Sequence, residues 1–441
     1  MRMIIADYPL QIRARYSAIC GCALVGSLGI LLLDVMIFKF GVYYYSDDVN
    51  VLYPVAVHSL IGLKGNPTRP FEYLIVLSAN NLYLPLWLGA SVLCVVGAAI
   101  LSALACEYLF ERQLPKAGWW VIGLANPLLF YVVSQPDVVS QALCNLLFAA
   151  AMLAFICEMY RLPGQSTSSW RADRVAFSLN LISATLFFTK ETAVAAAIVI
   201  PAVTALIRFR TKRLSRIYVF SLLLPIGAAP GWLFLKLKFN PIMLPTEAGR
   251  YGLKLNPITW VQNFVVTLAF PLTPLPSSFI EFDLLRQLWV AVAVGSVIFF
   301  VWFLLRQALR QPRIVVPLLV VAASCAPMIL IYSSELYSTM IAPFVVSIVF
   351  LFAVTKMRRV TLAYGLMLYT ATVANGFVYC LGVDFNLFGL QRLGYSIYGK
   401  WYQVYPICPI GTTAQVGWDA TADNELPYGP PYVKGRITCI Q

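Results

Sequence analysis

The stretch YSAICGCALVGSLGILLLDVMIF, residues 16–38, decides the fold class. It is apolar apart from Asp34, and Arg13 and Arg15 stand just before it. A helix needs about 20 such residues to cross the hydrocarbon of a bilayer, and flanking cations hold its end on one side. The run is too long for the apolar region of a signal peptide, and Asp34 to Lys39 has no small-residue cleavage site, so it reads as a retained first helix. The chain then reaches the far side of the membrane at YYYSDDVN, residues 43–50, where Asp47 and Asp48 are adjacent.

The whole chain agrees with that opening. Of its 441 residues 60% are hydrophobic and only 12% charged, and the mean hydropathy is +0.78. A soluble protein of this size could not cover so much apolar surface. We therefore expect an all-α polytopic membrane protein. About eleven spans can be drawn, near 16–38, 82–106, 118–134, 138–157, 177–189, 192–208, 217–236, 287–305, 314–332, 338–355 and 360–382. These divide the chain into a transmembrane module, 1–382, and a small tail, 383–441, rich in Gly, Pro and aromatic residues. No internal repeat mirrors one half of the chain in the other.

Charge placement gives the orientation. Alternating spans put 1–15, 107–117, 158–176, 208–216, 306–313 and 356–359 on one side, and these segments hold 19 of the 32 Lys and Arg but 5 of the 19 acids. The remaining loops balance. The net charge of +13 is thus a positive-inside pattern and not a nucleic-acid surface. It predicts a cytoplasmic N-terminus and a C-terminus on the outer side.

The outer loops then carry the chemistry. Loop 39–81 holds the aspartate pair and two amphipathic stretches, VNVLYPVAVHSLIGL and NPTRPFEYLIVLSANN, which read as interfacial pieces. Loop 237–286 holds another, TWVQNFVVTLAF. Neighbouring carboxylates such as Asp47 and Asp48 raise each other's pKa and can take a proton from a hydroxyl or hold a divalent cation. One of them alone would suffice to cap a helix starting near Val49. Lys190 and Glu191, in FFTKETA, place two charges at the edge of the hydrocarbon, as an ion pair closing a helical hairpin or as a phosphate-binding lysine with its supporting acid. Arg69, Arg250 and Arg392 offer guanidinium forks suited to phosphate, although each singly could be a lipid anchor. Glu72 and Asp137 are supporting acids, Asp137 better explained as a helix cap. His58 is the only histidine and has no second one with which to build a metal site. Most of the ten cysteines are scattered in apolar runs, but Cys408 and Cys439 fall in the tail, where an oxidising compartment would favour a disulfide.

An acidic pair after the first span, interfacial helices in the first outer loop and a Lys-Glu pair at a later outer turn resemble the GT-C superfamily of membrane glycosyltransferases. That superfamily includes protein O-mannosyltransferases and aminoarabinose transferases. The stretch from YSDD to TRPFEYL is most similar to the Gtr-type O-antigen glucosyltransferases of phages and bacteria, with Thr68-Arg69-Pro70 where those show a GRP-like turn. The similarity is specific for roughly the first 200 residues and architectural beyond them.

The resemblance implies an enzyme of the bacterial inner membrane. It would move a monosaccharide from a polyprenyl-phosphate carrier to a hydroxyl of a surface glycan, such as O-antigen or lipopolysaccharide, on the periplasmic face. Asp47 or Asp48 would be the base, Lys190 with Arg69, Arg250 or Arg392 would neutralise the donor phosphate, and inversion by single displacement is the simplest course. Two other functions compete with it, a flippase or transporter of a lipid-linked sugar and an O-antigen polymerase or ligase.

Overall fold

A computed structural model describes residues 19–21, 23–29, 69–71, 74, 86–114, 118–119, 122–123, 139–160, 169–239, 253–275, 283–331, 333, 335–356, 359, 363–364, 366–371, 373–374, 413–419 and 434–440. Its helices are α1 (Leu86–Phe110), α2 (Val139–Met159), α3 (Ser169–Leu186), α4 (Val194–Arg210), α5 (Arg216–Phe239), α6 (Pro257–Leu272), α7 (Asp283–Arg310), α8 (Val315–Ser324), α9 (Ala326–Leu330), α10 (Glu335–Ser338) and α11 (Ala342–Lys356). A short helical stretch, Ile19–Gly29, lies within the run quoted above. Among the described residues five helical stretches are long and apolar enough to cross a membrane: Gly89–Phe110, Val139–Met159, Glu191–Arg210, Arg216–Lys238 and Leu284–Arg310. This is a helical membrane protein.

Several expected boundaries move. The helix expected at 177–189 starts at Ser169, so WRADR is its first turns and not a loop. The span expected over 314–332 is broken at Cys325 into α8 and α9. The stretch expected to lie at the interface, TWVQNFVVTLAF, is the core of α6. Asn256 caps α6 by accepting from Ile258 N at 2.9 Å, and Pro257 fits the first helical position. Its first half is largely exposed, but Thr267 to Leu272 are buried among other helices. Among the described residues the tail departs from the all-α expectation: β1 (Thr413–Asp419) and β2 (Lys434–Ile440) form an antiparallel ribbon, with Thr413 opposite Ile440 and Asp419 opposite Lys434.

Small residues decide which helices approach most closely. Gly97 of α1 faces α2 so tightly that a Cβ there would lie 2.8 Å from Leu146 Cδ1. Ala98, Ala103 and Ala105 on α1 are also fully buried, as expected where helix backbones meet in lipid. Phe148 and Phe155 of α2 and Phe350 of α11 fill the core around this pair. Phe352 receives the edge contacts of Phe110 and Phe303, with ring centroids 4.9 and 4.7 Å away.

By contrast α5 and α7 present Phe220, Ile226, Phe234, Ile298, Phe299 and Leu305 outward. Exposed apolar surface of this extent is the face that lipid covers. Pro225 and Pro230 lie within α5, and Pro201 within α4, as membrane helices tolerate.

Polar contacts sort the helix ends into two groups. Gln141, Asn145, Thr192 and Thr339 are linked at one end, and so are Glu191 and Lys236. Glu158, Asp173, Arg208 and Ser215 are linked at the other, where Tyr160 also donates to the Arg313 carbonyl. Helices α2, α3, α4 and α5 therefore run alternately up and down, as the charge pattern predicts.

Candidate active site

The site is built on the turn between α3 and α4. Thr189 Oγ1 donates to the Leu186 carbonyl at 2.9 Å, and Thr189 N to the same carbonyl at 3.3 Å, closing the end of α3. Lys190 is then extended (φ −144°, ψ 147°), and Ala193 N donates back to its carbonyl at 3.0 Å, starting a single 3-10 turn, Glu191–Ala193, that leads into α4. The turn places Glu191 at a helix N-terminus, where the dipole favours a negative charge. It also buries Lys190, which is only 6% exposed.

The Glu191 carboxylate gathers cations from distant parts of the chain. Arg69 donates to Oε2 from Nη2 at 2.6 Å and from Nε at 3.2 Å, and Lys236 Nζ donates to Oε1 at 2.7 Å. The Lys236 side chain is 4% exposed, that of Arg69 15% and that of Glu191 26%. Burying an ammonium requires a nearby negative charge, and Glu191 supplies it. Among the described residues two cations, Arg69 and Lys236, thus meet on one carboxylate, beside the buried Lys190. All three make further interactions as well.

A buried polar chain runs inward from the same turn. Thr192 Oγ1 donates to Gln141 Oε1 at 3.5 Å, Gln141 Nε2 to Asn145 Oδ1 at 2.8 Å, and Asn145 Nδ2 to Thr339 Oγ1 at 3.0 Å. Thr339 opens the segment between α10 and α11 and, like Ser338 at the end of α10, is fully buried. Irregular backbone at such depth survives only when protein surrounds it.

Beside this segment lies an apolar groove of about 260 Å³ between α6, α7, α8 and α11, lined by Phe264, Phe300, Leu304, Leu318, Phe344 and Ile348 among others. Thr267 also lines it and shares a 2.7 Å hydrogen bond with Ser333. The groove is apolar enough to take a hydrocarbon chain.

The structure brings Arg69 to Glu191, 122 positions away in sequence and adjacent to Lys190. It changes one detail: the Glu191 carboxylate is held by Arg69 and Lys236. Lys236 was not singled out, because in FLKLKF it looks like any lysine reaching from a helix end to the interface. Its neighbour Lys238 fits that description, exposed and 5.7 Å from the Phe234 ring. Asp47, Asp48, His58, Glu72, Asp137, Arg250, Arg392 and Cys408 lie outside the described residues, and Cys439 is on β2 opposite Ala414. Among the described residues no group of three His, Cys, Asp or Glu side chains is placed to hold a metal ion.

The other end of the bundle is built differently. Arg208 Nε donates to Glu158 Oε1 at 2.8 Å and its Nη1 to Asp173 Oδ1 at 3.5 Å, while its guanidinium lies 4.4 Å from the centre of the Tyr218 ring. Ser215 Oγ adds a 2.7 Å hydrogen bond to Asp173 Oδ1.

Compared with family models, curated proteins and solved structures, the chain matches none.

Proposed function

We propose that this chain is a membrane glycosyltransferase that transfers a monosaccharide from a polyprenyl-phosphate carrier to a glycan hydroxyl on the periplasmic face of a bacterial inner membrane. The observation that carries the reading is the meeting of Arg69 and Lys236 on Glu191, in a turn that also holds the buried Lys190. The donor is a phosphodiester with one negative charge, and the departing polyprenyl phosphate carries more. Cations already fixed by Glu191 stabilise that growing charge without reorganising. The apolar groove between α6, α7, α8 and α11 suits the carrier's hydrocarbon tail.

In the reaction Asp47 or Asp48 accepts the proton of the acceptor hydroxyl. The freed oxygen forms a bond to the anomeric carbon from the face opposite the phosphate, the bond from that carbon to the phosphate oxygen breaks, and the configuration inverts. The leaving phosphate is stable enough to need no strong acid, so the chemistry requires one base and several cations. Arg250 and Arg392 are further candidates for the phosphate, with Glu72 and Asp137 as supporting acids. A divalent cation on the aspartate pair would serve the same phosphate.

Purified protein in nanodiscs, supplied with polyprenyl-phosphate sugar and a glycan acceptor, tests the reading. Asp47→Asn or Asp48→Asn should abolish transfer while leaving donor binding intact. Wild-type turnover in both variants would remove the aspartate pair from the mechanism.

The broken helix α8–α9 and the buried segment before α11 favour a second reading, a flippase of the same lipid-linked sugar, since discontinuous helices are common where transporters hold their cargo. Translocation of the labelled lipid in proteoliposomes without sugar transfer would select it.

A further inference from the structure

The hairpin joining α4 to α5, RFRTKRLSR at 208–216, carries five cations and no acid. They are not equivalent. Arg208 turns into the bundle and is clamped by Glu158 and Asp173, whereas Arg210, Lys212 and Arg216 are exposed. Exposed apolar side chains flank them on both helices: Phe209 is 68% exposed, Leu214 46%, Ile217 43% and Phe220 68%. A belt of apolar side chains under a ring of cations is the profile of a bilayer surface, acyl chain below and phosphate above.

The backbone gives an independent reason to think that the charge has a role here. Helix α4 ends with Thr211 N donating to the Ile207 carbonyl, Lys212 N to Phe209 and Arg213 N to Arg208, at 2.9, 3.1 and 2.9 Å. This closure needs a left-handed residue, and Lys212 takes it with φ 56°. Glycine or asparagine is the usual choice at such a position because a longer side chain is strained there. The chain keeps a lysine instead. The hairpin beneath is rigid: Asp173 holds Ser215 as well as Arg208, and Ser215 Oγ accepts from Tyr218 N at 3.1 Å.

We propose that this hairpin is a preformed binding site for the phosphodiester headgroup of an anionic phospholipid, with Arg210, Lys212 and Arg216 as its cations and Phe209 and Phe220 against the acyl chains. The positive-inside pattern places it in the cytoplasmic leaflet, away from the proposed transfer site, so its test does not depend on sugar transfer.

Thermal unfolding and lipid titration in nanodiscs of phosphatidylcholine, with and without phosphatidylglycerol, read the site. The wild type should melt higher with phosphatidylglycerol, and added salt should erase the difference. The triple variant Arg210→Gln, Lys212→Gln, Arg216→Gln should bind phosphatidylglycerol on the order of a hundredfold more weakly, from roughly fivefold for each cation near an anionic surface. Lys212→Asn alone should keep or raise the melting temperature in pure phosphatidylcholine, because asparagine tolerates the left-handed backbone, while lowering the response to phosphatidylglycerol. An unchanged phosphatidylglycerol response in the triple variant overturns the proposal. So does an equal stabilisation by inorganic phosphate in phosphatidylcholine, which would mark a site for soluble anions, or a response that only an acidic protein partner produces.

Discussion

The two ends of the bundle use the same chemistry in opposite proportions. At the Arg208 end one guanidinium sits between two carboxylates, and the three side chains are 2%, 4% and 9% exposed. At the Glu191 end one carboxylate sits between two cations and is itself 26% exposed. The first cluster is closed, covered by Tyr218 and fastened by Ser215, and it ties α2, α3, α4 and the start of α5 together. The second is partly open at its carboxylate and carries more cations than acids. A closed ion cluster fixes helices, whereas a partly open one with an excess of a single sign can receive a ligand.

The largest effect should come from breaking the closed end. Arg208→Met leaves Glu158 and Asp173 without their common partner in a buried place, and removal of one member of a buried ion pair costs about 3–5 kcal/mol. The variant should unfold at clearly lower temperature in nanodiscs, or fail to accumulate. The triple variant Arg208→Met, Glu158→Met, Asp173→Met should regain part of that loss, because no buried charge is then left unpaired. Failure of the triple variant to recover any stability would mean that the cluster does more than hold helices.

The open end should answer in activity before stability. Lys236→Met removes one of two cations on Glu191 yet leaves Arg69 in place, so the carboxylate keeps a partner. Loss of one preorganised group facing developing charge typically lowers kcat about 100- to 1000-fold. Sugar transfer by Lys236→Met should fall by that order, with a melting temperature much closer to wild type than that of Arg208→Met. A variant that loses stability and keeps turnover would make the two ends alike and move the phosphate site elsewhere.

The division between these ends was partly legible in the sequence. Apolar length marked the helices near 138–157, 192–208, 217–236 and 287–305, and the charged pair Lys190–Glu191 stood out because it interrupts two apolar runs. The role of Lys236 was hidden: a lysine three residues before the end of an apolar helix reads as an anchor, and only packing shows that its ammonium is buried against Glu191. Arg208 was hidden for the converse reason. It opens a run of exposed cations, and nothing in RFRTKR marks the first as the one that turns inward. The helix at Ser169 was missed because its first turns are polar, so hydropathy placed the boundary where the apolar residues begin. The break at Cys325 falls between Ser324 and Pro327, a local breaker that a hydropathy average over an apolar run does not register.

The smallest effect concerns a third ion pair, outside the spans and close to the Arg208 end. Arg313 donates to Glu111, and this hydrogen bond holds the Glu111 carboxyl below the usual carboxylate range. A carboxyl whose folded pKa lies below its unfolded value, about 4.3, adds stability that is present above that pH and is lost as the pH falls toward the folded value. The two side chains are 28% and 35% exposed, so solvent screening limits the pair to at most about 1 kcal/mol. Wild type should therefore lose slightly more stability than Glu111→Gln between neutral pH and pH below about 4. High salt should shrink that difference, whereas the Arg208 cluster, shielded from solvent, should respond little to salt. A Glu111→Gln variant whose stability tracks wild type over the whole range would show the pair to be energetically silent. A loss as large as that of Arg208→Met would mean that exposure does not separate the ion pairs at this end, and the contrast between closed and open clusters would then need another cause.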